Sequence, residues 1–463
     1  MTSPSKQKLL NGSEPSVGPT DALHLALKIA KVMAKGGSSA KRTDDTVVKF
    51  LSNLGYNDAC ILVAVNALTI SLKDTQGKWH TRCSEMAGGV HLGAVVAGSK
   101  FVSSVKLGGK TAAELEAELD KYLALPHYGK EYTCAQIGVT CCCICLMLGG
   151  DLWSIPTVFV ATCIGMWIRK TSEEYHVNIY VTWFVTAYVA ATISLAITLY
   201  IIPNQTPVRT TLSPTLMLVP GVPIVNTVLD LLRRYSDTGV ARLAFLMVMI
   251  LVHGHGVVLA FMQFKLLSGN TAPGIEAPAS NSIVLWSPVN NALADMALAG
   301  LASYGFAILF QVPGELLLHA SLVGSIAHSV KTFLMRFIHF YTGGADFFAV
   351  ALMAMAAEMM SKIFFPKQHI PGTVLYVPGL VLMMPGLLLL EGILQFMWIV
   401  QVSGLIHDPV ILTGAFFDGF VNFFRGLLII GGVGVGVAAV TIYFRPKAGS
   451  VFADEVTPWL TSF

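Results

Sequence analysis

Charge is scarce in this sequence. Only 12% of its 463 residues are Asp, Glu, Lys or Arg, whereas 54% are hydrophobic. Typical soluble domains contain about 25% charged residues, so the composition predicts a membrane protein embedded in a lipid bilayer. The net charge of +3 is small and gives no indication of a nucleic-acid partner.

Motifs for catalysis and metal binding are missing as well. The chain contains no HExxH, Walker loop, GxSxG or paired CxxC pattern, which are the spacings that metalloproteases, nucleotide-binding proteins, serine hydrolases and redox proteins use. Four of the eight cysteines, Cys141, Cys142, Cys143 and Cys145, share one apolar run, and a helix would point them in several directions. We interpret them as packing residues, and we expect no metal, no cofactor and no enzymatic activity.

A secretory signal is not apparent at the start of the chain. The first twenty residues lack the basic, apolar and small-residue order of such a segment, and their Ser, Pro and Gly residues indicate a flexible tail over 1–20. Charge is concentrated early, because residues 1–130 hold 27 charged side chains and the remaining 333 residues hold 30. We therefore expect a polar domain that stays in the cytoplasm, followed by a membrane body.

Residues 21–132 are predicted to form this small cytoplasmic α/β domain. Helical periodicity and short alternating runs distinguish its helices from its strands. The predicted helices are DALHLALKIAKVM, TDDTVVKFLSNLG (opened by the capping pattern Thr43-Asp44-Asp45), HLGAVVAGSKFVSSV and TAAELEAELDKYLAL, and the predicted strands are CILVAVN, ALTISLKD and KWHTRCSEM.

Long apolar runs follow Tyr132 and suggest about ten transmembrane helices. The candidate spans lie near residues 135–149, 153–169, 178–202, 214–232, 239–263, 291–312, 317–334, 343–364, 373–400 and 421–444.

An internal repeat organises these spans. VPG at 219–221 resembles MPG at 384–386, 165 positions later, and GHG at 254–256 resembles GVG at 434–436, 180 positions later. An insertion around 400–420 accounts for the larger offset. We therefore predict two five-helix transmembrane repeats, 133–265 and 291–447, joined by an external linker over 266–290 and followed by a C-terminal tail over 448–463.

Two units of five helices in series must have opposite orientations in the membrane. Basic residues support a cytoplasmic N-terminus, because they are more frequent at the ends that this topology places inside. The inside ends carry Arg169, Lys170, Arg233, Arg234, Arg242, Lys362, Lys367, Arg445 and Lys447, and the outside ends carry Arg209, Lys265, Lys331, Arg336 and Arg425. The predicted fold is thus a polytopic α-helical membrane protein with inverted repeats and Pro-Gly-broken helices.

Several of these motifs resemble the threonine/serine exporter family. LMLVPGVPIVNTVLDLL followed by TGVARLA resembles its first half, and HASLVGSIAH, AMAAEMMSKIFFP and PGTVLYVPGLVLMMPG resemble its second half. The second half also occurs as a separate chain in the related two-component succinate exporters. The resemblance spans roughly residues 25–445 and implies secondary export of small hydrophilic metabolites across the cytoplasmic membrane.

The Pro and Gly residues inside the fourth span of each repeat are the first candidates for the substrate site. Interrupted helices in transporters expose backbone N–H groups that bind anions and carbonyl groups that bind cations. A proline kink that only shapes packing is the alternative interpretation. The candidates are Pro220, Gly221 and Pro223 in the first repeat, and Pro378, Gly379, Pro385 and Gly386 in the second.

Polar residues after the first break are further candidates for substrate binding or gating. Asn226 and Asp230 are four positions apart, so they share one helix face. Asp230 is close in sequence to Arg233 and Arg234, which also suits the cytoplasmic end of a helix. Glu391 lies 165 positions after Asn226, and we expect it to face the same cavity.

Ionisable residues within the spans are candidates for proton coupling, because such residues are rare in membranes and usually functional. Glu358 and Asp346 share one span, although Glu358 also suits an interfacial pair with Lys362, and Asp346 a helix start. Histidine is the side chain whose ordinary titration lies near neutral pH, which makes His253 and His255 candidates, and they flank Gly254 in a segment that also suits close helix packing. Arg242 either attracts an anionic substrate or extends to the interface.

These observations leave three classes of function open. The first is a secondary exporter, most simply a proton antiporter of L-threonine and L-serine, with a dicarboxylate such as succinate as the alternative substrate. The second is a membrane-anchored hydrolase that uses Ser71, His80 or His91. In the third, the N-terminal domain is a sensor or assembly module that controls transport, which is compatible with the first. Whether the chain forms a homo-oligomer is left open by the sequence.

Overall fold

The computed structural model of the chain describes most of the sequence. The described residues are 17–86, 89–105, 110–124, 127–202, 207–233, 235–267, 292–339, 342–366, 370–402 and 409–443. Most of the predicted tail 1–20, most of the linker 266–290 and all of the tail 448–463 lie outside this part of the chain.

The N-terminal part contains helices and a small sheet in the predicted order. Its elements are α1 (Pro19–Lys35), α2 (Ala40–Asn53), β1 (Ala59–Val63), β2 (Ala67–Lys73), β3 (Trp79–Glu85), α3 (Leu92–Ser104) and α4 (Ala112–Leu123). The strands form an antiparallel sheet of order β1-β2-β3. Side chains of β2 alternate between buried and half-buried, because successive residues of a strand point to opposite faces, and α1 packs on this sheet.

Helix α2 begins earlier than the Thr43-Asp44-Asp45 pattern predicts. Ser39 is its N-cap, and the Ser39 hydroxyl accepts a hydrogen bond from the backbone N–H of Arg42. A serine hydroxyl satisfies one of the unpaired N–H groups of a first turn. The turn between α1 and α2 is therefore only a few residues long. This turn contacts the membrane helices.

The rest of the described chain is helical. Its helices are α5 (Lys130–Met147), α6 (Ser154–Glu174), α7 (Ile179–Tyr200), α8 (Pro207–Leu212), α9 (Gly221–Leu232), α10 (Ser236–Leu267), α11 (Ala292–Leu309), α12 (Leu317–Phe337), α13 (Thr342–Phe364), α14 (Gly372–Leu382), α15 (Gly386–Val402) and α16 (Pro409–Tyr443). Short 3-10 turns, Ser213–Leu218 and Gly314–Leu316, follow α8 and precede α12.

Five of the described helices are long and apolar enough to cross a membrane, and the number rises to seven if each bent helix pair is one span. The five are α7, α10, α11, α13 and α16. Helices α5, α6 and α12, which the ten-span prediction also includes, carry charged or histidine residues such as Lys130, Arg169 and Lys331. The chain is a multi-pass membrane protein, and the count of ten spans stays a prediction.

Both predicted helix breaks are present. Residues 208–218 and 221–232 form a pair bent by 60°, and residues 372–382 and 386–397 form a pair bent by 41°. Pro378, however, lies inside α14, which continues through it, so the prediction of a break at Pro378 and Gly379 is wrong. A single missing N–H does not end this helix, and its interruption comes at Met383–Pro385.

Glycines at the predicted repeat positions make matching helix contacts. A Cβ atom on Gly256 of α10 would lie 2.6 Å from the carbonyl oxygen of Phe184 in α7, and one on Gly436 of α16 would lie 2.7 Å from that of Phe347 in α13. Helix backbones can approach this closely only where the side chain is absent. Helix α10 thus packs on α7 in the same way as α16 packs on α13.

Candidate functional site

The two helix breaks lie against each other. A Cβ atom on Gly221 would come within 2.9 Å of Val381, and one on Gly386 within 2.7 Å of Val219. Both breaks have the same backbone turn, in which the N–H of Gly221 donates to the carbonyl of Val219, and that of Gly386 to Met384, each at 2.8 Å. The φ and ψ values of Pro220, −78° and 61°, are those of an inverse γ-turn.

Few backbone groups at the first break remain available to a ligand. Pro223 has no N–H, and the N–H groups of Gly221 and Ile224 donate to Val219 and Pro220. Within the described part of the chain, the first turn of α9 therefore keeps one unused donor, that of Val222, fewer than the anion-binding interpretation requires.

The carbonyl groups freed before this break are also occupied. Arg169 donates to the carbonyl of Met217 at 3.3 Å, and the indole N–H of Trp183 donates to that of Leu218 at 2.8 Å. Unpaired carbonyls are costly inside a membrane, so these side chains stabilise the interruption. They leave the break closed rather than open to a substrate ammonium group.

The turn between α1 and α2 covers the end of this crossing. The side-chain amide of Asn226 donates to the carbonyl of Gly37 at 2.8 Å, and the backbone N–H of Ala40 donates to Asp230 at 3.0 Å. Arg42 donates to the hydroxyl of Thr373 at the start of α14. Residues 37–42 thus connect the two broken helices from one side.

A small cavity lies between this turn and the broken helices. Its volume is about 40 Å³, which is room for about three water molecules and several times too small for an amino acid. The polar residues that line it are Ser38, Ser39, Arg42, Asn226, Arg233, Thr373 and Tyr376. Two of these are arginines and, among the described residues that line the cavity, none is acidic, so the cavity favours an anionic group.

Asp230 and Arg242 form a buried ion pair beside the cavity. The Arg242 guanidinium lies 2.5 Å from Asp230, whose side chain is fully buried. The same contact recurs in neutral form in the second half, where Asn422 donates to Gln395 at 3.3 Å. Gln395 follows Asp230 by 165 positions, and Asn422 follows Arg242 by 180, which are the two offsets of the sequence repeat.

Models of one protein family match nearly the whole described chain. Residues 24–264 match the family described as "Putative threonine/serine exporter", and residues 295–443 match that described as "Threonine/Serine exporter, ThrE". The chain belongs to the threonine/serine exporter family. No solved structure shows a significant match.

Relatives of this exporter-family protein include a bacterial transporter subunit. The chain is 24% identical over 244 residues to the "Probable succinate transporter subunit YjjP" of Klebsiella aerogenes, which covers 52% of this chain and 93% of the relative. It is 25% identical over 133 residues to the protein of the same name from Escherichia coli, where 29% of this chain and 52% of the relative are covered. Both relatives carry a transporter name, consistent with an exporter.

Glu391 of the exporter-family protein does not line the cavity that Asn226 lines. It is buried in α15, whereas Asn226 lies in α9. Asn226 bonds Gly37 of the N-terminal turn, whereas α15 packs against α16, α10 and the 3-10 turn Ser213–Leu218. The expectation that both residues face one cavity is therefore wrong for this cavity.

The acidic candidates of α13 have different surroundings. Asp346 is fully buried, and its Oδ1 atom lies 2.7 Å from the ammonium group of Lys331. Glu358 is half-buried, and its carboxylate packs against Gly372 at the start of α14. A helix N-terminus stabilises a carboxylate there, so Glu358 has a structural role that its sequence position does not indicate.

The two histidines of α10 point in different directions. His253 is buried, and within the described part of the chain its Nε2 atom has no hydrogen-bond partner. His255 is exposed, and its Nδ1 atom is 2.8 Å from the carbonyl of Leu251 in the same helix. Gly254 between them packs on Ile393 of α15. Only His253 of this pair is placed inside the helix bundle.

The residues of the hydrolase alternative do not form a catalytic pair. Ser71 is opposite Thr81 in the sheet and His80 is opposite Leu72, so Ser71 and His80 lie on opposite faces. His80 instead pairs with Asp74 at 2.8 Å, and this hydrogen bond lowers the pKa of the Asp74 carboxyl.

His91 has a structural role. Its Nδ1 atom accepts a hydrogen bond from the N–H of Ala94 at 3.1 Å and so caps α3. Burial lowers the pKa of the His91 imidazole, and the neighbouring His127 lowers it further. The adjacent N–H of Leu92 donates to the carbonyl of Phe310 at 2.8 Å, so this cap lies where the N-terminal part contacts the end of α11.

Sequence reasoning missed the turn at Gly37–Arg42 and missed Thr373. The turn belongs to the polar N-terminal region, and no periodic pattern connects it with a helix that follows about 190 residues later. The sequence did contain one signal for the contact between Asp230 and Arg242. By the two repeat offsets, Gln395 is equivalent to Asp230, and Asn422 is equivalent to Arg242. Complementary polar residues at equivalent positions indicate a contact between the helices that carry them.

Proposed function

We propose that the chain is a secondary exporter that carries L-threonine and L-serine out of the cytoplasm in exchange for protons. The observation that carries this proposal is the crossing of the two broken helices, closed on one side by residues 37–42 and adjoining a cavity with Arg42, Arg233 and Asn226 in its lining. The membership in the exporter family supports the direction and the substrate class. A cavity of about 40 Å³ is too small for the substrate, so this arrangement corresponds to a closed form in the proposed mechanism.

The proposed architecture is a pair of inverted five-helix repeats. Support comes from contacts that recur at the two sequence offsets. Gly254 packs on Ile393, and Gly434, 180 positions after Gly254, packs on Val228, 165 positions before Ile393. Equivalent contacts between the halves are expected of two units related by an axis in the membrane plane.

The proposed orientation places the N-terminal part in the cytoplasm. The helix ends that contact it include those of α9, α11 and the start of α14. These are the ends that the distribution of basic residues assigns to the inside. Substrate would then enter the crossing from the side that residues 37–42 close, and this turn would move to admit it.

A dicarboxylate is the second candidate substrate. The cavity is lined by two arginines and, in the described chain, by no acidic side chain, which suits two carboxylates better than one carboxylate and one ammonium group. The relatives named as probable succinate transporter subunits agree with this alternative.

Transport by the purified full-length chain tests the proposal. Proteoliposomes loaded with labelled threonine, serine or succinate are expected to release at least one of them, and faster when a pH gradient draws protons in the opposite direction. Asn226→Ala should slow this release, whereas Asn57→Ala in the exposed part of the N-terminal region should not. Failure of correctly folded protein to release any of the three would contradict the exporter proposal.

The arginines discriminate between the two substrate classes. Arg233→Gln is expected to weaken succinate transport more than threonine transport if succinate uses both arginines. Arg82→Gln, an arginine on β3 remote from the cavity lining, is the matched control. Equal effects of Arg233→Gln on both substrates would remove the argument for a dicarboxylate.

A further inference from the structure

A second polar cluster lies in the other half of the molecule. It consists of Asp295 of α11, His328, Lys331 and Thr332 of α12, and Asp346 of α13. The Nε2 atom of His328 lies 3.4 Å from Asp295, the hydroxyl of Thr332 lies 3.3 Å from the same carboxylate oxygen, and Lys331 lies 2.7 Å from Asp346. None of these residues lines the cavity at the broken helices.

The cluster continues a polar face along α12. The hydroxyl of Ser321 donates to the carbonyl of Gly300, and that of Ser325 donates to Met296, each at 2.7 Å. Ser321, Ser325, His328 and Thr332 recur at helical spacing, so one face of α12 contacts α11 through polar groups along its length. Hydrogen bonds of this kind hold transmembrane helices together, and the polar cluster lies at one end of the contact that they form.

Three carboxylate oxygens in the cluster are buried without a hydrogen-bond partner among the described residues. They are Oδ1 of Asp295 and both oxygens of Asp346, of which Oδ1 lies 2.7 Å from the Lys331 ammonium group as an ion pair. The side chains of Asp295 and Asp346 are 3% and 0% exposed. Buried oxygens of this kind are expensive when they carry charge, so the cluster is built around groups that need a further proton or cation.

Charge counting identifies the ligand. Lys331 and Asp346 neutralise each other as an ion pair. The pair of Asp295 and His328 is neutral only when it holds one proton in addition to that of a neutral imidazole, either as imidazolium and carboxylate or as imidazole and carboxylic acid. Without that proton, the buried Asp295 carboxylate stays charged beside a neutral imidazole, which a low-dielectric interior disfavours. The positive charge of Arg336, further along α12, offsets part of this cost.

We propose that the Asp295–His328 pair is the proton-binding site that couples export to the proton gradient, with the Lys331–Asp346 pair holding α12 and α13 around it. A proton is favoured over a metal cation, because the ammonium group of Lys331 already occupies Asp346 and Arg336 follows on the same helix. Among the described residues, no group of three or more His, Cys, Asp or Glu side chains could hold a metal ion.

The position of the site suits proton entry. Asp295 lies in the first turn of α11 and Asp346 in the first two turns of α13, at the ends opposite those that face the N-terminal part. This inference rests on the proposed function, in which these ends face outside and protons enter as substrate leaves. Binding of the proton neutralises the pair and lets α11 and α12 stay packed, and its release to the inside restores the charge that favours separation.

The described helices that pack against α12 are α11, α13 and α14. The charged groups that face His328 are Asp295 of α11, Asp346 of α13, and Lys331 and Arg336 of α12 itself, while α14 presents no charged residue. Pairing with Asp346 also explains why the basic residue Lys331 occurs at an end that the topology places outside, where basic residues are otherwise few.

His328→Gln in the full-length chain tests this inference. In proteoliposomes it should reduce transport driven by a pH gradient by about tenfold or more and abolish the proton influx reported by a trapped pH dye. Substrate counterflow at equal pH on both sides should stay within about twofold, because exchange needs no net proton movement. The matched control is His255→Gln, since His255 is exposed on α10 and bonds only its own helix.

A second variant distinguishes loss of proton coupling from loss of folding. Asp295→Asn combined with His328→Gln keeps two hydrogen-bonding side chains in contact but removes the proton site, and the same separation of gradient-driven transport from counterflow is expected. A purely structural role would instead lower counterflow and thermal stability together. Gradient-driven transport and proton influx that persist in either variant would overturn the inference.

Failure of the proposed function has a different result. In that case, the wild-type protein shows no counterflow of threonine, serine or succinate. This result would contradict both the proposed function and the coupling site that rests on it. Wild-type counterflow without any proton influx overturns the coupling site and the exchange for protons, but it leaves export of the substrate itself intact.

Discussion

At the scale of single residues, the ion pair of Asp230 and Arg242 sets the charge at the closed end of the crossing. Removing one partner of a buried ion pair leaves an uncompensated charge and typically costs roughly 3–5 kcal/mol. Arg242→Asn alone should therefore destabilise the protein. Asp230→Gln combined with Arg242→Asn copies the neutral Gln395–Asn422 contact of the second half and should regain most of the loss.

Thermal unfolding of the detergent-solubilised protein checks this prediction. The melting temperature is expected to fall for Arg242→Asn and to recover in the double variant. If the double variant were as unstable as the single one, the two side chains would not be compensating each other's charge.

His91 predicts a pH dependence of the docked N-terminal part. Because burial and His127 lower the pKa of folded His91, the unfolded chain binds a proton first as the pH falls below about 6.5, the usual value for histidine. The stability contributed by neutral His91 is therefore complete above that pH and is lost below it. His91→Asn retains an N-cap side chain without the titration.

The melting temperatures of wild type and His91→Asn at pH 7.5 and pH 5.5 test whether stability falls with pH in this direction. Wild type should lose more stability between these values than His91→Asn does. Equal losses would show that other groups account for the acid sensitivity.

At the scale of helices, close backbone contacts hold α14 in place. A Cβ atom on Gly379 would overlap the backbone of Gly324 in α12, whereas one on Gly431 of α16 would meet nothing within 4 Å. Overpacking typically costs about 1–3 kcal/mol, so Gly379→Ala should lower the melting temperature. Gly431→Ala, the control, should be neutral or raise it because alanine favours helix. A tolerated Gly379→Ala would mean that α12 and α14 separate easily.

The helix breaks were predictable because their causes are local. Pro220-Gly221 and Pro385-Gly386 remove donors and rigidity at those positions, and both breaks appear where the residues are. Pro378 has the same chemistry but stays helical, since the packing of Gly379 on Gly324 holds the segment. The sequence alone does not contain that neighbour.

Local patterns did not supply the partners across helices, although the repeat offsets indicate a contact between Asp230 and Arg242. Asp230 and Arg242 were each singled out, but as separate candidates, because their pairing depends on how α9 crosses α10. Asp346 was interpreted as a proton carrier or a helix start, and its partner Lys331 appeared only as an exception to the charge rule. Local patterns identify which residues are unusual, while the crossing geometry decides which of them meet.

At the scale of the whole molecule, the N-terminal part and the broken helices behave as one closed assembly. The tyrosine hydroxyl of Tyr235, just before α10, donates to Asp44 at 2.6 Å, and the hydroxyl of Thr238 donates to the carbonyl of Val63 at 2.5 Å. These bonds add to those of Asn226, Ala40 and Arg42. In the proposed mechanism, substrate entry at this side consequently requires the N-terminal part to shift relative to α9 and α14.

A reversible cross-link tests that requirement. In a background with Cys60→Ser and Cys83→Ser, which removes the two exposed cysteines among the described residues, Arg42→Cys and Thr373→Cys are joined by a short disulfide-containing linker. Transport should stop when the link is complete and return after reduction, because residues 37–42 can no longer leave the crossing. The control joins Lys28→Cys to Asp120→Cys, whose native side chains pair at 2.7 Å within the N-terminal part. That link should leave transport unchanged, and full transport by the protein linked at Arg42→Cys and Thr373→Cys would show that substrate does not pass this turn.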